Sequence, residues 1–232
     1  ERLHAYADMW ADVRHLNDAQ LADRIQADGI NVLVDLSGHT EGSRMGVFAR
    51  RSAPVQISYL GFPNSTGLRE IDFRIADGWT DLAPAADRWS CESLLRLPRP
   101  QWCFRPFGDL EVGPLPAKAS GHVTFGSFNN LTKISPTILE CWVEILRRVP
   151  NSKLRLTRVR SPERAREIEL EFARSGVDPV RIEQVPYRDS PPYGLQFRGV
   201  DIALDPYPYN GVTTTCESLH MGVPVISMYG SH

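Results

Sequence analysis

The sequence predicts an α/β protein built on parallel sheets. Short apolar stretches such as Ile30–Leu36 show no alternation, which is typical of strands buried on both faces of a parallel sheet. In the second half, strand patterns and amphipathic helix patterns follow one another with short loops between them, as in a doubly wound sheet. A stretch rich in proline and glycine separates the two halves and predicts two domains.

The first hundred residues contain one clear helix and three strands. Asn17 and Gln20 form a capping-box pattern, and apolar residues recur at helical spacing until Asp28-Gly29 ends the run. Strands are predicted at Ile30–Leu36, Pro54–Leu60 and Ile71–Ala76. Residues 1–104 therefore form the first domain, and residues 105–121 have the composition of a linker.

Residues 122–232 form the second predicted domain. Ser135-Pro136 supplies a cap and a proline at the first helical position, ahead of an apolar stripe that ends before Pro150. A second, charged helix is predicted from Pro162 to Ser175. The predicted strands are Val123–Gly126, Lys153–Thr157, Arg181–Val185, Val200–Leu204 and Val223–Ile226. Both sheets are expected to be incomplete within this chain.

Composition excludes several classes of function. The formal net charge of -2 provides no basic field for nucleic acid or anionic lipid, and no apolar run reaches the roughly 18 residues that span a bilayer. Neither nucleic acid nor membrane is therefore a predicted partner. The four cysteines are scattered, which predicts a reducing cytoplasm. The dinucleotide, P-loop, zincin and D-x-D signatures are all missing, so a diphosphate site without metal is predicted.

The segment 205–219 is the most informative one for function. It follows a strand, turns through proline and glycine, and enters a helix at Thr213, Thr214 and Thr215. Unpaired N–H groups and the dipole at a helix start attract phosphate, and Glu217, placed one or two residues into the helix, could accept hydrogen bonds from ribose hydroxyls. The alternative is that the threonines merely cap the helix. Spacing leaves both interpretations open.

A second candidate loop, 125–136, connects the first strand and first helix of the same domain. Its Lys133 could neutralise a departing phosphate, or it could be a solvated lysine ahead of the helix. In the first domain, loops 37–44 and 61–67 follow strands and could meet a sugar or an acceptor. His39 has the chemistry of a general base, although a single loop histidine is more often polar surface.

These motifs resemble the family of O-linked N-acetylglucosamine transferases and Spindly proteins, which includes many bacterial members. The segments that carry the resemblance are DGINVLVDLSGHTEGSR (28–44), RSAPVQISYLGFPNSTG (51–67), TFGSFNNLTKISP (124–136), RRVPNSKLRL (147–156) and DIALDPYPYNGVTTTCESLHMGVPV (201–225). They occur in family order over nearly the whole chain.

The resemblance implies a glycosyltransferase of the GT-B type, with two Rossmann-like domains, that inverts the anomeric centre without metal or other cofactor. Residues 1–104 would be the C-terminal part of the acceptor-side domain, and 122–232 the nucleotide-sugar domain. Lys133 is the implied catalytic residue. The implied donor-binding residues are Asn130, Lys133, Arg188, Asp189, Ser190, Tyr193, Val212, Thr213, Thr214 and Glu217. Helical repeats are expected upstream.

The implied reaction is transfer of N-acetylglucosamine from a uridine diphosphate donor to serine or threonine of a protein or peptide. Three departures keep alternatives open: animal members carry lysine at the Ser190 position and histidine at the Tyr193 and Val212 positions. Asn31 also replaces a histidine of the animal enzymes. The alternatives are a fucosyltransferase of the Spindly type that uses a guanosine diphosphate donor, and an inactive homologue that binds nucleotide sugar or protein.

Overall fold

The computed structural model describes residues 3–106, 108, 110–187 and 194–230. The chain divides into two compact units, the first reaching to Cys103 and the second starting at Phe104. Each unit contains one parallel sheet, which confirms the predicted α/β class. Within the described residues, no helix combines the length and apolarity that a membrane span requires.

The first unit is a four-stranded parallel sheet in the order β1-β2-β3-β4. Helix α1 begins with the predicted capping box, in which the Asn17 side chain accepts from the Gln20 N–H and the Gln20 side chain accepts from the Asn17 N–H. The elements are α1 Asp18–Ala27, β1 Val32–Asp35, α2 Met45–Phe48, β2 Val55–Ser58, β3 Phe73–Asp77 and β4 Ser93–Leu97, with 3₁₀ turns at Leu3–Tyr6 and Ala86–Trp89.

Two features of this sheet differ from the prediction. Strand β1 is not buried on both faces: it lies at the sheet edge, and Val32 and Val34 are 50% and 43% exposed. Only its other face, which carries Leu33, packs against the cluster formed by α1 and α2. Strand β4 was not predicted, because the sequence Ser93–Leu97 contains no β-branched or aromatic residue.

The second unit is a five-stranded parallel sheet in the order β7-β6-β5-β8-β9, which is the order of the first five strands of the six-stranded Rossmann fold. Its predicted strands and its two predicted long helices are all present. The elements are α3 Pro116–Ser120, β5 Thr124–Ser127, α4 Pro136–Arg148, β6 Lys153–Val159, α5 Pro162–Arg174, β7 Ile182–Pro186, β8 Ile202–Leu204, α6 Thr213–His220 and β9 Val225–Ile226. Additional 3₁₀ turns lie at Leu131–Lys133, Pro179–Arg181 and Leu195–Phe197.

The core of the second unit lies between the sheet and helices α4 and α5. Trp142 and Leu146 of α4 meet Leu154 and Leu156 of β6 and Phe172 of α5, and all five are at most 2% exposed. Ser135 caps α4 as predicted by accepting from the Ile138 N–H. Burial of this apolar stripe fixes α4, and therefore also the loop that connects it to β5.

The segment predicted as a linker contains α3 and packs on the second unit. A five-residue helix is too short to show periodicity, which is why the composition gave no sign of it. The buried Asp201 carboxylate accepts from the backbone N–H groups of Ala117 in α3 and Thr124 in β5, each at 2.8 Å. Leu110 packs against the cluster that contains Phe128 and Phe197. The part of the predicted linker from Leu110 to Gly121 therefore packs as part of the second unit.

Replacing Asp201 with alanine should lower the free energy of unfolding of the second unit by about 2–4 kcal/mol. The loss arises because two N–H groups lose their acceptor at a buried site. Asp201→Asn retains one acceptor oxygen and should recover part of the loss. Urea denaturation of the three proteins measures the effect, and an alanine variant as stable as the wild type would contradict it.

Candidate functional site

The two loops singled out in the second unit meet at one place. Strands β5 and β8 are neighbours, and the strand order reverses between them, so the loops after their carboxyl ends flank the crevice where doubly wound folds bind ligands. A small, open pocket lies there. Its lining residues are Phe128, Asn129, Ala203, Leu204, Asp205, Thr214, Thr215, Ser218 and Val225.

Asp205 organises the loop after β8. Its carboxylate is 5% exposed and accepts from the Gly211 N–H at 2.7 Å, from Asn210 Nδ2 at 3.0 Å and from Ser227 Oγ at 2.8 Å. These bonds tie both ends of the loop to each other and to the segment after β9. Asp205 was not among the predicted site residues, because the sequence shows only an acidic residue directly after a predicted strand.

Within the part of the chain that the structure describes, no side chain caps the start of α6. Val212 occupies the N-cap position and makes no side-chain capping bond. Thr214 Oγ1 instead donates to Asn129 Oδ1 at 3.2 Å, and Thr215 Oγ1 donates to the Gly211 carbonyl at 3.1 Å. The interpretation that the threonines merely cap the helix is therefore wrong. Since no described side chain accepts from the first-turn N–H groups, this helix start suits an anionic ligand.

Gly211 shows how closely this turn is packed. A Cβ atom at this position would lie 2.5 Å from Thr214 Oγ1 and 2.9 Å from both Asp205 Oδ1 and Thr215 Oγ1. Only glycine, which has no Cβ atom, lets the start of α6 lie this close to the Asp205 carboxylate.

Glu217 does not lie where the sequence predicted. The helix already begins at Thr213, so Glu217 is its fifth residue and not its first or second. The side chain is 4% exposed and faces the interior of the unit. The predicted place of Glu217 in the helix was wrong because it assumed that the threonines precede the helix, whereas they form its first turn. The assignment of Glu217 to the donor site stays a prediction. Thr213, by contrast, is exposed at the helix start.

Lys133 reaches across to the loop after β8. It ends the 3₁₀ turn Leu131–Lys133, whose N-cap Asn130 is exposed and accepts from the Thr132 N–H through its side chain. Lys133 Nζ donates to the Asn210 carbonyl at 3.2 Å and lies 4.0 Å from the centre of the Tyr209 ring. It is half-buried, so the interpretation as a solvated lysine is wrong.

The electrostatics of Lys133 reflect this position. Burial lowers the pKa of its ammonium below the usual value, and the nearby Asp205 carboxylate opposes the shift by stabilising the charge. The structure thus brings Lys133, Asn130, Val212, Thr213 and Thr214 to one edge of the sheet. Arg188, Asp189, Ser190 and Tyr193 lie outside the described residues. Within the described residues, no cluster of histidine, cysteine or carboxylate side chains suits a metal ion.

The two predicted loops of the first unit are joined to each other. His39 Nε2 lies 2.7 Å from the Thr66 carbonyl, and since a carbonyl only accepts, this nitrogen carries the proton. Nε2 is therefore engaged as a donor, and Nδ1 is the ring nitrogen that can accept a proton. The loop 61–67 is in turn held by Glu92, which accepts from the Thr66 N–H at 2.7 Å, from Thr66 Oγ1 and from Ser65 Oγ at 2.8 Å.

The Glu92 bonds predict a pH-dependent stability. Burial raises the pKa of this carboxyl, but the hydrogen bonds from Thr66 and Ser65 outweigh burial and leave the pKa below its ordinary 4.5. A depressed folded-state pKa stabilises the fold above pH 4.5, and this stabilisation is lost as the pH falls through the folded-state value. The difference in unfolding free energy between wild type and Glu92→Gln should shrink from pH 7 to pH 3. A constant difference across this range would contradict the assignment.

Asp205→Asn should destabilise the second unit by about 1–3 kcal/mol. The new amide group would direct an N–H toward either Asn210 Nδ2 or the Gly211 N–H, both of which are donors. Asp178→Asn is the matched control, because Asp178 is exposed and caps a turn that asparagine caps equally well. Thermal melts compare the variants, and equal melting temperatures for Asp205→Asn and the control would refute the role of Asp205.

Two Rossmann-like units, one with a cationic side chain beside an uncapped helix start at its switch point, are typical of glycosyltransferases of the GT-B type. The model of glycosyl transferase family 41 matches residues 2–102 and 114–231. The chain therefore belongs to glycosyltransferase family 41, which confirms the resemblance found in the sequence.

Relatives and solved structures agree with this assignment. The chain is 40% identical to a probable UDP-N-acetylglucosamine–peptide N-acetylglucosaminyltransferase SPINDLY of Oryza sativa subsp. japonica, over 96% of the chain and 24% of that relative. It is 31% identical to the SEC counterpart of Arabidopsis thaliana, over 98% of the chain and 24% of that relative. The chain thus spans about a quarter of the length of these curated relatives.

Among solved structures, an O-GlcNAc transferase variant of Thermobaculum terrenum matches with a TM-score of 0.89 and 37% identity, covering 99% of this chain and 44% of that one. Anabaena HepE in complex with UDP and glucose matches with a TM-score of 0.57 at 13% identity, covering 94% of this chain and 64% of that one. The second likeness concerns the fold alone.

Proposed function

We propose that the complete protein transfers a sugar from a nucleotide diphosphate to serine or threonine hydroxyls of a protein or peptide. The observation that carries this proposal is the placement of Lys133 Nζ beside the loop that leads into α6. A cation and free helix-start N–H groups together suit a diphosphate, which carries negative charge over several oxygens.

The proposed mechanism is an in-line attack of the acceptor hydroxyl on the anomeric carbon. The bond from that carbon to the diphosphate oxygen breaks as the new glycosidic bond forms, which inverts the configuration, and the acceptor hydroxyl gives up its proton to the solvent. Negative charge grows on the departing diphosphate, where Lys133 and the first turn of α6 stabilise it. Because these groups supply the charge stabilisation, the proposal includes neither a metal nor another cofactor.

The proposed donor is UDP-N-acetylglucosamine. Support comes from the names of the SPINDLY and SEC relatives, which specify UDP-N-acetylglucosamine as donor and peptide as acceptor. Thr213 and Thr214 at the helix start are proposed to bind phosphate together with Asn130 and Lys133. Val212 is proposed to lie beside them, where its backbone joins the loop to the helix.

Lys133→Ala in the complete protein should reduce kcat by about 100- to 1000-fold, as loss of one preorganised charge-stabilising group commonly does. Lys133→Arg should restore only part of this loss, because a planar guanidinium does not fit the place of a compact ammonium. Steady-state kinetics with UDP-N-acetylglucosamine and GDP-fucose measure the effect and identify the donor.

Lys118→Ala is the matched control, since Lys118 is an exposed lysine of α3 in the same unit. It should leave kcat unchanged, and thermal melts should show that all three variants are folded. A folded Lys133→Ala variant that keeps more than about a third of wild-type kcat would refute the proposed role. A wild type that binds nucleotide sugar but transfers none would favour the inactive homologue.

A further inference from the structure

Lys133 has few partners for a half-buried cation. Its Nζ donates to the Asn210 carbonyl at 3.2 Å and lies 4.0 Å from the centre of the Tyr209 ring. Among the described residues, no carboxylate forms an ion pair with it. Asp205 is the nearby acid that acts on its charge, but the Asp205 oxygens already accept three hydrogen bonds from the loop and from Ser227.

The Tyr209 ring therefore supplies much of what holds the ammonium in place. An aromatic face attracts a cation through its quadrupole, and the attraction grows when water is excluded. Burial of Lys133 costs free energy in the charged form, and the ring and the carbonyl are the groups that offset this cost without using a counter-charge. An ammonium has three N–H donors, so donation to Asn210 leaves donors for an oxygen of a ligand.

The backbone on both sides of Tyr209 is fixed. Ser135 Oγ donates to the Tyr207 carbonyl at 2.7 Å, and Tyr207 packs against the main core of the unit. On the other side, Asp205 holds Asn210 and Gly211. The ring is therefore presented by a loop that is anchored at both ends, although the side chain itself is 45% exposed.

We infer that Tyr209 is a positioning residue that holds the Lys133 ammonium beside the start of α6 before the donor binds. This inference rests on the proposed function, because it assigns Tyr209 a role in the same reaction. The aromatic face makes the contact and the phenol hydroxyl does not. Phenylalanine should therefore replace tyrosine, whereas leucine, of similar apolar character but without a ring, should not.

The test compares Tyr209→Phe and Tyr209→Leu in the complete protein with the control Tyr229→Leu, which alters an 81% exposed tyrosine of the same unit. Tyr209→Leu should lower kcat roughly 3- to 30-fold, the range that a cation–π contact represents, with KM for the donor changed less than kcat. Tyr209→Phe and the control should keep wild-type kcat. Thermal melts establish that each variant is folded.

A second readout does not depend on catalysis. The rate at which an amine-reactive acylating reagent modifies Lys133, followed by mass spectrometry of the peptide, should rise severalfold in Tyr209→Leu and stay unchanged in Tyr209→Phe. Wild-type kcat or an unchanged labelling rate in Tyr209→Leu would overturn the inference while the proposed function stands. A wild type that transfers no sugar would instead overturn the proposed function, even if the labelling rates follow the expected pattern.

Discussion

The site of the second unit depends on the Asp205 carboxylate. This group stands at the carboxyl end of β8 and holds Gly211, Asn210 and Ser227 around it, so that the chain can turn directly into α6. The turn places the Asn210 carbonyl and the Tyr209 ring against Lys133, which arrives from the loop after β5. A single buried acid thus sets the backbone course that brings two loops together, and its charge also supports the ammonium.

The turn into α6 leaves the N–H groups at the start of the helix without a described side-chain cap, and this is what suits the site to a diphosphate. Thr214 and Thr215 direct their hydroxyls to Asn129 and Gly211, and the N–H groups of the first turn of α6 face no side-chain cap. A helix start of this kind next to a half-buried cation favours a dianionic leaving group. The chain belongs to glycosyltransferase family 41. The leaving group that we propose for this site is therefore the nucleoside diphosphate of a sugar donor.

Local patterns in the sequence predicted most of the fold. The Asn17 capping box, the Ser135 cap and the amphipathic stripe of α4 depend on neighbouring residues and could be predicted. Strand β4 could not, because its pairing with β3 and not its composition makes it a strand. The exposure of one face of β1 depends on how the other elements pack, and the sequence of the strand itself does not determine that packing.

Some residues of the candidate site could likewise be predicted from the sequence, and others could not. The loop and helix-start patterns, together with the family resemblance, pointed to Lys133 and the threonines, whereas Asp205 and Tyr209 act through contacts that only the folded loops create. The most direct test is a crystal structure of the complete protein with a nucleoside diphosphate. Phosphate oxygens should lie about 2.7–3.2 Å from Lys133 Nζ and from first-turn N–H groups of α6. A diphosphate bound away from both groups would contradict the account.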